Sequence, residues 1–266
     1  MDPEALEAPL AAALTGDPRP LATFLRGHSN LPGPRGNLEL AWQFADAATA
    51  RAAGPRAGAA WQVALALAAV GPDEAPTGDP GEFLAFCGTV AAAGFAGDPS
   101  RRAAVWDTLQ RAAEDERWRL REAAAQAIQR AVPADPAGVR ALLEEWAATG
   151  SWLLCRAAAA GVADPPLLRD PAWAAAALRL HEAILFRFAA APDRRDPGFR
   201  VLRQGLGYTL SVVVAAAPEA GFELLRRLAG VADRDLAWVL RSNLGKGRLT
   251  RAHAREVESV AALLAG

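Results

Sequence analysis

Apolar residues recur along this chain at helical spacing, and the polar, proline and glycine positions between them mark where each helix stops. Leu120, Ala124, Ala127, Ile128 and Ala131 fall at i, i+4, i+7, i+8 and i+11, one stripe of a helix. Most of that stripe is alanine, which lets a neighbouring helix approach closely. Trp173, Ala177, Leu180, Ile184 and Phe188 keep the same spacing further on, as do Phe199, Leu202, Leu206, Leu210 and Val213. The pattern predicts helices at about 3–14, 18–27, 37–53, 56–70, 80–94, 99–113, 116–131, 136–148, 151–162, 171–190, 197–216, 219–229, 234–244 and 251–264. The tenth and eleventh, joined by Ala191 to Arg195, are the longest and form an irregular pair in this reading.

Asp-Pro pairs punctuate the starts. Aspartate caps free backbone N–H groups and proline takes the first helical position, where its missing N–H costs nothing. The pairs are Asp2-Pro3, Asp17-Pro18, Asp79-Pro80, Asp98-Pro99, Asp135-Pro136, Asp170-Pro171 and Asp196-Pro197, while Asp164-Pro165, followed by another proline, suits a turn. The stretch Ser29 to Asn37 holds two prolines and two glycines and cannot be helical. It reads first as a turn with Asn37 capping the next helix, and second as a rigid binding loop.

One segment returns. Asp115, Trp118, Leu120, Arg121 and the run Ala123 to Ile128 are echoed by Trp152, Leu154, Cys155 and the run Ala157 to Val162, with cysteine where the first copy has arginine. Asp233, Asp235, Trp238, Leu240 and Arg241 repeat the acid, the tryptophan, the leucine and the arginine. Partial copies at intervals are the mark of a repeat architecture. These residues resemble the signature of HEAT-type repeats, over roughly the last two thirds of the chain. The resemblance implies an all-α fold, an α-solenoid of about six or seven antiparallel helix pairs. It also implies that acids and arginines such as Asp115 and Arg121 pair between neighbouring repeats. No long linker divides the chain, so we expect one domain over 1–266, with 1–36 as an N-terminal helical cap and Pro/Gly loop and 37–266 as repeats.

Composition supports helices and adds little about function. The chain has 266 residues, 52% of them hydrophobic. Lys246 is its only lysine, so 28 of the 29 basic residues are arginine, a usage read first as GC-rich coding and only second as selection for phosphate binding. The net charge of −1 gives no global attraction to nucleic acid. Its distribution is uneven: residues 1–100 carry 5 arginines against 11 acids, and residues 101–266 carry 24 basic against 19 acidic residues. Cys87 and Cys155 lie in apolar helical segments and are expected to be buried thiols. The N-terminus is acidic, without a signal-like segment, and no apolar run reaches the roughly 20 residues that span a bilayer. We therefore expect a cytoplasmic protein without a membrane segment.

Motifs for chemistry are wanting. There is no phosphate-cradling GxxxxGK[ST] and no GxSxG, and His28, His181 and His253 form no metal-ligand set. Gly205-Leu206-Gly207 is a dinucleotide fragment without a strand before it and marks close helix packing instead. We expect no cofactor, no metal and no catalytic residue.

The eight tryptophans, Trp42, Trp61, Trp106, Trp118, Trp146, Trp152, Trp173 and Trp238, read first as fillers between alanine-rich helices. A subset on an inner, ligand-facing surface is the sharper reading. HEAT-like repeats also build alkylpurine DNA glycosylases of the DNA-alkylation-repair type. That resemblance implies tryptophans and an aspartate around a damaged nucleotide, with basic residues on the backbone. Trp106-Asp107 and Trp238, with Arg117, Arg119, Arg121 and Arg241, are the residues that would serve it. The window from Arg241 to Arg251 is the most basic, and Gly245 and Thr250 in it also fit a helix C-terminus and the next N-cap.

The sequence thus points to a non-enzymatic scaffold that binds a protein partner through its concave surface. The alternative is a DNA-binding or glycosylase-like repair protein. Trp118, Arg121, Trp152, Trp238, Arg241, Lys246 and Arg248 are the candidate ligand-binding residues.

Overall fold

The computed structural model describes residues 4–52 and 54–265. The expected Asp2-Pro3 start and the last residue of the 37–53 helix lie outside them. Among the described residues the chain is all helical: fifteen α-helices, one 3-10 turn at Leu167–Arg169 and no strand. The helices are α1 Glu4–Leu14, α2 Arg19–Gly27, α3 Leu38–Thr49, α4 Ala57–Ala68, α5 Glu82–Ala93, α6 Arg102–Ala113, α7 Trp118–Ala131 and α8 Pro136–Thr149. They continue as α9 Trp152–Val162, α10 Pro171–Ala189, α11 Pro197–Ala216, α12 Pro218–Ala229, α13 Arg234–Leu244, α14 Gly247–Thr250 and α15 Ala254–Leu263. The chain divides into two compact units, Met1–Val139 and Arg140–Gly266, with the division inside α8.

Aspartate marks the starts as expected. The Asp170 carboxylate accepts the Ala172 N–H at 2.9 Å and that of Asp196 accepts the Gly198 N–H at 2.6 Å, each with proline at the first helical position. At Asp79 and Asp98 the same bond, to Gly81 and Ser100, closes a tight turn first, and the helix begins a little later. Asn37 caps α3 by accepting from the Leu40 N–H at 3.1 Å. Thr250 does not cap: it ends the short α14, and His253 precedes α15. A lone turn of helix carries no apolar period of its own, which is why α14 escapes the pattern.

In the first unit α5 is the centre. Glu-Phe-Leu-Ala-Phe-Cys-Gly-Thr-Val-Ala-Ala-Ala is apolar on every side after its first residue, and a helix apolar all round belongs inside. Every residue of α5 is buried, Glu82 included, and the helix packs against α2, α3, α4, α6 and α7. At Gly88 a Cβ would stand 2.2 Å from the Ala68 backbone nitrogen, so the α4 and α5 backbones touch there. The stripe from Leu120 to Ala131 on α7 is buried throughout. Just before it, Arg117 is only 2% exposed. Its guanidinium donates to the Ala75 and Val70 carbonyls, both at 3.0 Å, and to the Asp115 carboxylate. Asp115 also accepts the Arg117 N–H at 2.8 Å. The arginine thereby ties the start of α7 to the connection between α4 and α5.

In the second unit α11 is the centre, packed against α9, α10, α12, α13 and α14. The Gly207 region is a close approach, as the glycine pair suggests: a Cβ there would stand 2.9 Å from the Trp238 ring. Buried Asn243 on α13 accepts the Ser211 N–H at 2.8 Å and donates to the Leu206 and Val239 carbonyls at 2.8 and 2.7 Å. An amide so completely partnered fixes the register of α13 on α11. His181, wholly buried, faces the Ala177 carbonyl through Nδ1 at 2.9 Å and the Thr209 hydroxyl through Nε2 at 3.0 Å. Burial depresses its pKa to about 4, against the smaller opposing effect of the Ala177 hydrogen bond.

Both cysteines are free and fully buried. Burial raises both thiols above the ordinary cysteine value; at Cys155 the nearby Arg187 guanidinium opposes it in part. The thiolate is the reactive form. Neither cysteine is expected to react with an aromatic disulfide reagent in the native protein, and both should react after denaturation. A full equivalent released in a native absorbance titration would contradict this.

Candidate functional site

A cavity of about 280 Å³ opens in the first unit between the segment Ser29 to Asn37 and helices α5 and α7. The segment is a closed loop. Asn37 returns to its start by donating its backbone N–H to the Ser29 carbonyl at 3.0 Å and its side-chain amide to the His28 carbonyl at 3.0 Å. Within it a turn runs from Asn30, in the left-handed region at φ 61°, through the cis Leu31-Pro32 bond to Gly33, whose N–H bonds the Asn30 carbonyl at 2.8 Å. Asparagine is among the few residues that take this φ readily. The segment is therefore both a capped turn, the first expectation, and the wall of a cavity, as the second requires.

The lining is mostly apolar, with Arg35, Glu82, Arg119, Glu122 and Gln126 as its polar residues. Glu82 is inaccessible to solvent, and its Oε2 accepts from the Gly78 N–H at 2.8 Å and from Arg119 at 3.2 Å. Arg119 donates in addition to the Gly33 carbonyl at 2.8 Å, which pins the loop to α7. Leu31, Leu38, Phe83, Phe86 and Trp118 supply the walls. Leu38 and Trp118 are each 42% exposed, and the Arg119 guanidinium lies 4.4 Å from the Trp118 ring centre.

Of the expected ligand-binding residues, Trp118 lies on this cavity. Arg121 instead folds back on its own turn, donating to the Asp115 and Glu116 carbonyls at 2.7 and 2.9 Å. Asp115 pairs locally with Arg117, and the acid–arginine pairs that α7 makes to other helices include Arg119 with Glu82 and Arg130 with Asp46. Arg117 and Arg119, proposed for a phosphate backbone, are buried and committed to these bonds. Asp107 is exposed and paired with Arg111 at 3.1 Å.

The remaining candidates belong to the second unit. Trp152 packs edge-on against Phe199, with the Arg187 guanidinium 4.7 Å from its ring centre. Trp238 sits on Gly207 under the Arg203 guanidinium, 3.8 Å away, and is 37% exposed. Arg241 donates to the Leu264 carbonyl at 2.7 Å. Lys246 and Arg248 meet at Tyr208: the lysine is 5.6 Å from the ring centre, and Arg248 is 4.7 Å from it and donates to the phenol oxygen at 2.8 Å. Tyr208 and Arg248, with Arg169, Leu168 and Val212, line an open groove.

The residues that sequence reasoning missed are Glu82 and the phenylalanines of α5, and Arg119 was named for a different role. A partial signal was present: Glu82 is the one charge on α5, a helix otherwise uncharged. Among the described residues no group of three or more histidines, cysteines or acids is placed to hold a metal ion, and no helix is long and apolar enough to cross a membrane.

No protein-family model matches this chain, and no curated protein matches it in sequence.

Proposed function

We propose that the protein is a non-enzymatic, HEAT-like helical scaffold that binds a protein partner, and that the first unit takes the partner at the cavity beside the Ser29–Asn37 loop. The observation that carries this is the cavity itself: apolar and aromatic walls, a mouth edged by exposed Leu38 and Trp118, and a rim fixed by hydrogen bonds. Aromatic rings at the edge of a preformed apolar recess are the usual anchors of protein interfaces. Binding is favoured over chemistry because Arg119 and Glu82 hold each other, while His181 and both cysteines are buried in packed helices away from open space. The repeat reading is supported by the packing of alternate helices. In the first unit α5 packs on both α3 and α7, and in the second α11 packs on both α9 and α13, as inner helices of successive repeats do.

The test is selection of peptides from a displayed random library against the intact protein, with Leu38→Asp and Trp118→Ala as counter-selections. The expected result is a set of peptides that bind the wild type and lose at least tenfold in affinity on either variant. Failure to enrich any peptide sensitive to these changes would remove the reading.

The second reading, DNA binding, is favoured by one observation. The second unit carries 17 basic against 13 acidic residues, with Lys246 and Arg248 gathered on Tyr208. If these groups met phosphates, duplex affinity would fall with salt by a log–log slope of roughly −0.9 per phosphate neutralised. We expect weak duplex binding at physiological salt that barely responds to joint replacement of Arg241, Lys246 and Arg248 by alanine. A tight complex whose salt slope flattens in that variant would establish DNA binding instead.

A further inference from the structure

We propose that the open groove of the second unit, between the 3-10 turn at Leu167–Arg169, α11 and α14, binds an acidic amphipathic segment of a partner protein. The segment's apolar side chains lie against α11 and its carboxylates on Arg169 and Arg248. This goes beyond the reading above: it concerns the other unit and a different surface, so either can fail alone.

The groove is built on α11. Tyr208, Val212 and Ala216 fall at i, i+4 and i+8, one face of the helix, and line it together with Leu168 of the 3-10 turn. Helices α9, α10, α12 and α13 pack on other parts of α11. The elements that flank this stripe, the 3-10 turn and α14, are a single turn each. They leave Tyr208 52% exposed and Ala216 exposed. The space, about 580 Å³, lies within the roughly 300–1,000 Å³ of ligand sites and has room for several side chains.

Charge selects the occupant. The charged residues that line the groove are Arg169 and Arg248, both cations. Lys246 adds a third beside it, 5.6 Å from the Tyr208 ring centre. Among the described residues none of the three has a carboxylate partner, whereas Arg194, Arg203 and Arg227 of the same unit each have one. The acids nearest to Arg169 in the chain are used locally: Asp164 accepts from the Leu167 N–H and Asp170 from the Ala172 N–H. Arg248 is held ready for an anion. It donates to the Tyr208 hydroxyl at 2.8 Å and lies 4.7 Å from the ring centre, which leaves the rest of its guanidinium for an incoming carboxylate.

The same surface discriminates against nucleic acid. A phosphate backbone would meet the cations, but it brings no apolar group to cover Leu168, Val212 and Ala216. A peptide in which carboxylates alternate with leucines brings both. Arginine clusters are one of the recurrent means by which acidic segments are recognised.

The test is fluorescence anisotropy, with the full chain titrated into four labelled probes at one fixed ionic strength. The first is a short peptide in which pairs of glutamates alternate with leucine. The second has glutamine in place of glutamate, the third serine in place of leucine, and the fourth is a short DNA duplex. We expect saturable binding of the first and at least tenfold weaker binding of each of the others, from loss of charge pairing or of apolar contact. Joint replacement Arg169→Glu and Arg248→Glu should weaken the first peptide at least tenfold, since attraction becomes repulsion at both positions. Ala216→Glu, which sets a carboxylate at an exposed position of the groove, should weaken it about fivefold. Leu38→Asp, in the other unit, should leave it unchanged. Equal binding of the glutamine peptide would overturn the role of the arginines, and equal binding of the serine peptide that of the apolar face. Tighter binding of DNA, lost in the joint arginine variant, would give the groove to the second reading above. Loss of peptide binding in Leu38→Asp would place the segment in the first unit and overturn the assignment to this groove. Absence of saturable binding, or binding indifferent to the groove substitutions, would overturn the proposal as a whole. None of the comparisons between probes depends on the folding of a variant. If the acidic peptide fails here while peptides selected at Leu38 and Trp118 succeed, this inference falls and the scaffold reading stands.

Discussion

Replacing Arg117 with alanine is expected to destabilise the protein by about 3–5 kcal/mol, the usual consequence of removing one partner of a buried ion pair. The side chain is 2% exposed and answers three acceptors: the Asp115 carboxylate and the Ala75 and Val70 carbonyls. Without it a largely buried carboxylate loses its cation, and two backbone oxygens lose a donor in a place where the alanine leaves a cavity. Lysine is expected to recover little, because one ammonium cannot reach all three acceptors in the fork geometry of a guanidinium. Urea denaturation of the wild type and both variants measures this. An alanine variant within about 1 kcal/mol of the wild type, the range of an exposed ion pair, would show that the pair is not buried as described.

Acidification between pH 6.5 and 4 is expected to cost the protein about 3 kcal/mol through His181 alone. The folded-state pKa, about 4, lies below the ordinary value of 6.5, with desolvation as the main cause. Between the two values the unfolded chain binds a proton at this site that the folded chain does not, so stability rises with pH across that window. The contribution is complete above about 6.5, falls as the pH drops, and is lost once the pH is below the folded value near 4. The hydrogen bonds agree with the neutral form: Nδ1–H donates to the Ala177 carbonyl, and Nε2 accepts from the Thr209 hydroxyl. Carboxylates begin to titrate in the lower part of the same window. The measurement is therefore the difference in unfolding free energy between the wild type and His181→Gln as a function of pH. The expected difference shrinks as pH falls from 6.5 to 4, with a slope approaching about 1.4 kcal/mol per pH unit. A difference that is constant across the window would mean that His181 is as accessible to protons folded as unfolded.

The sequence by itself determined the helices. Their starts depend on bonds that span two or three residues, such as Asp170 to Ala172 or Asp233 to Leu236, and such bonds form wherever the residues occur. The stripes follow from helical geometry, so those led by Leu120, Trp173 and Phe199 are buried as their spacing requires. The cysteines follow from the apolar segments that hold them. The tertiary structure decided the arginines and the cavity. Arg117, Arg119 and Arg121 are alternate residues of one short stretch and look alike in sequence. Yet Arg121 bonds carbonyls five and six residues away, whereas Arg117 reaches acceptors 42 and 47 residues away, and Arg119 meets Glu82 and Gly33 at separations of 37 and 86 residues. No local rule tells which distant acceptors Arg117 and Arg119 will reach. The loop from Ser29 to Asn37 shows the same limit: its prolines and glycines forbid a helix, but only the arrival of α5 and α7 against it encloses a space and leaves one oxygen of Glu82 facing no donor.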